Sequence, residues 1–376
     1  MNAPPLRVAD VFRAGWPEYL RRHHVPAFQL KAVRHLLACR TPALGGHVWR
    51  CASCGRRAVL YNSCRDRHCP TCQGAAREKW LARRMRELIP APYFHVVFTP
   101  ATRANPLLRH NRETLLDLFF REVNATLQEF ARDPQWKLEG QLGFLAVLHT
   151  WSQTLVEHVH LHCAVPGGAW RKNAHTWAPA AATGSSAPPR SPTGSATATC
   201  APCAGGSTGP RWSCPPEPKT GTTSARGLPP PTGSSTPRSP SPGPGRALEY
   251  LGRYTHKVAI SDYRILQLED GRVTFRYRDR ADGDTEKTMT LSADAFIGRF
   301  LLHILPPGFQ KIRFYGWMAR NVRTENLRHI RQALNVPPPD VPPKPPRIAP
   351  DCPACGKATL LIEGLIGRAR GPPHRP

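Results

Sequence analysis

Long apolar runs are missing from this chain, and no stretch approaches the roughly 20 residues that a membrane-spanning helix needs, which excludes a helical membrane protein. The first residues show no basic-then-apolar leader pattern, so a cytoplasmic, nucleoid-associated location in a bacterium is expected. No GxxxxGK[ST] phosphate loop is present, and no nucleotide cofactor is expected. Acidic residues are also scarce: 26 Asp and Glu stand against 52 Lys and Arg, a formal net charge of +26. That imbalance argues against a cationic partner and favours a polyanion, of which nucleic acid is the commonest.

A more local scarcity divides the chain. Between Ala178 and Arg246 there is one Leu and one Trp, with no Val, Ile, Phe, Tyr or Met. Such a segment buries too little apolar surface to fold alone, so it is expected to be disordered. Thr232 to Pro237 can be encoded ACT GGG TCG TCT ACG CCN, and read one base back this gives His-Trp-Val-Val-Tyr-Ala, a plausible strand. Thr220 to Ala225 can likewise yield Asp-Trp-Tyr-Asp-Val-Arg. The expectation is translation out of frame between two compensating shifts, leaving this chain with impaired or no activity.

Around that gap the sequence reads as an α+β protein in five parts. Residues 1–90 hold two helices and a cysteine-rich zinc module, then a basic helix ended by Pro90. Residues 91–177 carry a strand at Tyr93–Pro100, a helix at 111–132, and paired strands at Gly143–Trp151 and His158–Val165. Residues 178–246 form the low-complexity segment. Residues 247–335 carry the helix "EYLGRYTHK", a meander turning at Asp270-Gly271, a helix at 293–305 after the N-cap Ser292, and a last helix capped by Thr324. Residues 336–376 form a proline-rich tail with a CxxC.

Twelve cysteines without a leader point to a reducing compartment and metal rather than disulfides. Cys51-x2-Cys54 and Cys69-x2-Cys72 have the spacing of a closed four-thiolate structural zinc site, and Cys64, His68 and His47 are possible substitutes or supporting groups. Cys352-x2-Cys355 is half a site, to be completed by a partner chain or His374. Arg65 and Arg67, inside the cysteine loop, are candidates for phosphate contacts, and Trp317 or Tyr315 for stacking on bases.

His160 and His162 are two apart in "EHVHLHCAVPGG". On a strand both imidazoles face one way, about 7 Å apart, and make a metal half-site. Gln153 is the favoured third ligand, with His149 and Glu157 as rivals. Tyr250 and Tyr254 are four apart, which on a helix places both phenols on one face, about 6 Å apart along the axis, with Lys257 beside them.

In combination these features resemble the HUH superfamily of single-strand DNA nucleases, and more closely the two-tyrosine rolling-circle transposases of the insertion sequence 91 type. The resemblance runs through "CRTPALGGHVWRCASCG", "YNSCRDRHCPTCQ", "PYFHVVFTP", "LHTWSQTLVEHVHLHCAVPGG", "EYLGRYTHKVAISDYRI" and "FLLHILPPGFQKIRFYG", in that order over about 250 residues. It implies an N-terminal zinc domain and a HUH-type antiparallel-sheet nuclease domain. It further implies a catalytic Mg²⁺ or Mn²⁺ on His160 and His162, Tyr250 and Tyr254 as nucleophiles, and single-stranded DNA at transposon ends and target as substrate. Two other classes stay open: a zinc-dependent nucleic-acid-binding protein without catalysis, and a plasmid relaxase or replication initiator.

Overall fold

The computed structural model describes residues 5–101, 104–180, 235–241, 258–279, 282–337, 351–352, 354–357 and 360–368. Tyr250, Tyr254, Lys257 and His374 lie outside the described residues, as does most of the low-complexity segment.

In chain order, α1 (Val8–Arg22) and α2 (Ala27–Ala38) precede a hairpin of β1 (Gly46–Cys51) and β2 (Arg57–Tyr61). The basic helix α3 (Gln73–Met85) starts directly after Cys72 and is followed by β3 (Tyr93–Phe98), the short α4 (Asn105–His110) and the long α5 (Arg112–Arg132). Then come β4 (Phe144–Trp151), β5 (Glu157–Pro166), and the small hairpin of β6 (Gly168–Arg171) and β7 (Thr176–Pro179). Beyond these lie β8 (Ser235–Ser241), the meander of β9 (Ile265–Glu269), β10 (Arg272–Asp279) and β11 (Thr285–Ser292), then α6 (Ala293–Leu301), β12 (Ile312–Tyr315), α7 (Arg323–Ala333) and β13 (Leu360–Ile366). The result is a mixed α/β architecture in which the strand pairings described are antiparallel.

The central sheet has the order β12-β4-β5-β3-β8. Because side chains alternate along a strand, its two faces differ. Phe144, Ala146, Leu148, Leu161, Cys163 and Val165 turn to one side and pack on Leu116, Phe120, Val123 and Leu127 of α5, spaced at helical period. Leu145, Val147 and Ala164 turn to the other, where Trp80 of α3 covers them. His95, His149, His160 and His162 share that second face through the pairs His95↔Ala164, His149↔His160 and Val147↔His162.

A second core joins the chain's two halves. Val8, Val11 and Phe12 of α1 and Val33 and Leu36 of α2 pack with Phe296, Ile297 and Phe300 of α6, Val273 and Phe275 of β10, and Cys69 of the cysteine loop. Asp262 ties the parts, accepting from Val8 N–H at the start of α1 (3.0 Å) and from Thr71 Oγ1 (2.7 Å).

Several local expectations are met. Ser292 Oγ accepts from Ala295 N–H as the N-cap of α6. Asp270 and Gly271 both take positive φ, 47° and 69°, the conformation a tight two-residue hairpin turn requires. The last helix begins one residue before Thr324, with Val322 at the N-cap and no side-chain cap. The segment expected to be disordered contributes β8, which pairs with β3, and its first residues belong to β7. Main-chain ladder bonds need no apolar side chain, and the prolines at 237 and 240 are tolerated on an edge strand. Trp317 is fully buried rather than an exposed stacking platform, and Tyr315 stacks on Phe144 at 5.0 Å between ring centres.

Candidate functional site: a histidine cluster and divided cysteine clusters

The hairpin of β4 and β5 is held in register by apolar pairs such as Leu148↔Leu161, which fix which residues meet on the opposite face. His149 therefore faces His160 directly across the strands, with His162 one step along. One ring nitrogen from each of the three lies within 4.8 Å of the others. Ring centres are 4.6 Å apart for His149 and His162, 4.7 Å for His160 and His162, and 5.3 Å for His149 and His160. His149 and His162 are buried and His160 is half-buried, so the cluster opens at one edge.

Neighbouring groups orient the rings. His160 Nδ1–H donates to the His158 carbonyl at 2.8 Å; a carbonyl only accepts, so the lone pair of His160 sits on Nε2. His95, from β3, places Nε2 2.8 Å from His162 Nδ1. Trp151 stacks on His149 at 4.5 Å. Just behind the cluster, His303 accepts from Thr150 Oγ1 at Nδ1 (3.2 Å) and donates from Nε2 to the Leu155 carbonyl (3.0 Å), pinning the end of β4 to the hairpin loop. Burial holds its pKa down at about 4.

The structure brings His149 beside His160 and His162. Gln153 lies in the loop beyond β4, where its backbone carbonyl accepts from Arg264. Glu157, the other rival, is buried but committed to Arg109 (2.6 Å) and Arg112 (3.4 Å).

The cysteines divide differently from the expected single set. Cys69 and Cys72 join Cys39, at the end of α2, and Cys64, while Cys51 and Cys54 stand apart in a second cluster. The physical reason is the hairpin of β1 and β2, which separates the 51–54 turn from the 64–72 loop. In the first cluster the sulfurs lie within 4.8 Å of one another, and Cys64 and Cys72 are 3.7 Å apart. A tetrahedral zinc with bonds of about 2.3 Å has an S···S edge of about 3.8 Å, so the geometry fits that ion. Contacts with Cys39 push the Cys64 and Cys69 thiols up, while contacts with its neighbours pull Cys39 down. A bound dication removes that conflict by stabilising all four thiolates.

His68 is not a ligand here. Its Nε2 accepts from Leu305 N–H (3.1 Å), so Nδ1 carries the proton and donates to Asp66 Oδ1 (3.1 Å). Burial alone raises the Asp66 carboxyl, but hydrogen bonds from His68 and His35 hold it well below the usual carboxylate range. Arg67, expected to grip phosphate, is spent inside the protein: it donates to the carbonyls of Phe309, Leu305 and Pro306 and ties the cysteine loop to the 305–309 turn. Arg65 is exposed. His47 lies in β1, apart from both cysteine clusters.

Sequence comparison places this chain in a family. The family described as "Transposase zinc-binding domain" matches residues 11–100, and that described as "Putative transposase" matches 143–196 and 239–326. The chain is similar to the "Putative transposase y4qJ" of Sinorhizobium fredii (strain NBRC 101917 / NGR234), 38% identical over 388 residues that cover 98% of this chain and 97% of the relative. It is also similar to the "Transposase for insertion sequence element IS801" of Pseudomonas savastanoi pv. phaseolicola, 27% identical over 360 residues covering 90% and 83%. No solved structure matches. Among the described residues no helix is long and apolar enough to cross a membrane. With a zinc-binding domain and a transposase domain matched in order, and a relative aligned over nearly its whole length, the chain belongs to the insertion sequence 91 family of transposases.

Proposed function

We propose that this transposase cuts and rejoins single-stranded DNA by HUH-type, rolling-circle chemistry, with His149, His160 and His162 as the cation site and Tyr250 and Tyr254 as the nucleophile pair. The observation that carries the reading is the convergence of three imidazole nitrogens within 4.8 Å on paired strands of the central sheet. When bound, a divalent cation supplies positive charge that polarises the scissile phosphate. An all-imidazole donor set suits Mn²⁺ better than Mg²⁺, which prefers oxygen ligands.

The chain's own groups do the rest. The His158 carbonyl fixes the tautomer of His160, and His95 orients the ring of His162. One tyrosine oxygen attacks phosphorus, the P–O3′ bond breaks, and the phenolic proton is passed on so that the 3′ oxygen leaves as a hydroxyl. A 5′-phosphotyrosine ester remains. One phosphoester replaces another, so rejoining needs no nucleotide hydrolysis. Arg65 and Lys257 are assigned to phosphate contacts, with affinity that falls as salt rises.

The test is incubation of the purified chain with single-stranded oligonucleotides of the element ends and Mn²⁺, scored for a covalent adduct on a denaturing gel. The adduct is expected to vanish in the Tyr250→Phe/Tyr254→Phe double variant and in His149→Ala, and to persist in Gln153→Ala. An adduct that survives the double tyrosine change refutes the nucleophile assignment. His95→Ala is expected to weaken Mn²⁺ affinity by about 10–100-fold.

A second reading, DNA binding without catalysis, is favoured by one observation: the family match breaks between 196 and 239. Salt-sensitive DNA binding by a chain that forms no adduct with Mn²⁺ supports that reading.

A further inference from the structure

The cysteines at the far end of the chain repeat a pattern from its beginning. Cys51-Ala-Ser-Cys54-Gly55 and Cys352-Pro-Ala-Cys355-Gly356 are the same C-x-x-C-G knuckle, about 300 residues apart in sequence. The two fold alike. Gly55 N–H donates to the Cys51 carbonyl and Gly356 N–H to the Cys352 carbonyl, both at 2.8 Å. Cys51 N–H donates to the Arg56 carbonyl and Cys352 N–H to the Lys357 carbonyl, both at 2.9 Å. The glycines take φ of 72° and 70° with open space where a Cβ would sit, so the backbone turn and not crowding demands glycine.

The knuckles face each other. Sγ of Cys51 lies 3.7 Å from that of Cys355, and Sγ of Cys54 lies 3.7 Å from that of Cys352. All four sulfurs fall within 4.8 Å, and in each knuckle the first cysteine is buried and the second exposed. These separations are far beyond a disulfide bond of about 2.05 Å and match the edge of a zinc–thiolate tetrahedron, about 3.8 Å.

The sheet around them gives a reason for an ion. β13 pairs with β1 to make the order β13-β1-β2, but among the described residues the buried apolar cluster there holds only Cys51, Cys352 and Leu360, with Trp49 against them. Leu361, Ile362 and Leu365 of β13 and Val59 and Leu60 of β2 are exposed. Glu363 adds a two-pronged ion pair with Arg57 (2.7 and 2.8 Å), which is solvent-exposed and worth little. Three short strands with so small a core are not self-sufficient, and a metal supplies the missing folding energy in domains of this size.

We propose that Cys51, Cys54, Cys352 and Cys355 bind a second structural zinc ion, which fastens the C-terminal segment to the N-terminal module within one chain. This site is separate from that of Cys39, Cys64, Cys69 and Cys72, and half of it lies outside residues 11–100 matched by the zinc-binding family. It does not depend on the proposed DNA chemistry.

The test is zinc content per chain of the full-length protein, purified under reducing conditions, by elemental mass spectrometry, with molar mass by light scattering. Two zinc ions per monomeric chain are expected. Cys352→Ser/Cys355→Ser and Cys51→Ser/Cys54→Ser should each leave one, and the quadruple variant should also leave one, since both pairs serve the same ion. Replacement by Co²⁺ should give tetrathiolate absorption that falls by half in either pair variant. One zinc ion in the wild type, unchanged by Cys352→Ser/Cys355→Ser, overturns the proposal. Loss of a different ion in each pair variant, with both gone in the quadruple, overturns the shared site. Two zinc ions found only in dimers overturn the closure within one chain.

Discussion

Acidification should weaken the hairpin that carries the histidine cluster, and His303 sets the size of the effect. In the folded chain both its ring nitrogens serve the neutral form: Nε2–H donates to the Leu155 carbonyl, and Nδ1 accepts from the Thr150 hydroxyl. Burial is the main cause that lowers its pKa to about 4, with the charge of Arg112 acting in the same direction and the Leu155 hydrogen bond opposing. In the unfolded chain it titrates near 6.5. Between these values the unfolded state binds more protons than the folded one, so stability rises with pH across this window and is lost as pH falls through it. The contribution is fully present above about pH 6.5, and its loss is complete below about pH 4. The interval corresponds to about 3 kcal/mol, with a slope no steeper than about 1.4 kcal/mol per pH unit. Acid also protonates zinc-binding thiolates, so the measurement needs a comparator without the titrating ring. Urea unfolding of the wild type and His303→Gln, each across the window, isolates the histidine: the stability advantage of the wild type should shrink by about 3 kcal/mol from neutral to acid pH. An advantage that stays constant with pH refutes the assignment of a buried neutral His303.

Gly143→Ala should destabilise the sheet by about 1–3 kcal/mol, read as a lower thermal midpoint, because the added Cβ falls 2.5 Å from the buried Trp317 ring. Glu157→Ala should cost about 3 kcal/mol in urea unfolding, since it strips the mostly buried Arg112 of its carboxylate partner; a cost below about 0.5 kcal/mol would show the pair to be a surface one. The nucleotide sequence across the unmatched stretch 197–238 should reveal, in an alternative frame, an open run of apolar-rich codons; stop codons or continued low complexity there rule the frame explanation out.

The strands and most helices were legible because periodicity is a local property. "YFHVVF" and "HVHLHCAV" announce strands, and "RETLLDLFFREVNATLQEFAR" repeats its apolar residues at helical spacing. Ligand partnership is not local. Four cysteines at 51, 54, 69 and 72 have the spacing of one site, and nothing in that spacing shows that β1 and β2 send the two pairs to different partners. A signal did exist for one site: the repeated C-x-x-C-G at 51–55 and 352–356 marks two matching knuckles. It does not single out Cys39 and Cys64 as the partners of Cys69 and Cys72, because Cys163, Cys200, Cys203 and Cys214 also remain. The third histidine was less legible. Counting back from a loop at 152–156 puts Leu148 across from His160, and only the register shift between His149 and Trp151 brings His149 opposite it, with Gln153 in the loop. Arg67 looked like a surface cation because charge is visible in sequence while a set of inward-facing carbonyls is not.

The position of the unmatched stretch bears on which functions an altered chain can keep. Residues 197–238 include none of the cysteines of either cluster and none of the histidines on the sheet. Of the described elements, only part of β8 falls within them, and it meets β3 through main-chain hydrogen bonds that are indifferent to side-chain identity. On the frame reading, the zinc module, the basic helix α3 and the histidine-bearing strands fold from in-frame residues. On that reading the out-of-frame stretch lies between those strands and Tyr250 and Tyr254, so under the proposed chemistry its damage falls on how the tyrosines are carried to the cluster. Covalent chemistry requires reacting atoms about 3–3.5 Å apart and aligned, and a displacement of 1 Å costs about 10²-fold. Phosphate binding is spread over many exposed cations and tolerates such displacement. Under the proposed chemistry, DNA binding and strand cleavage are therefore expected to be separable in this chain, with binding the more robust of the two.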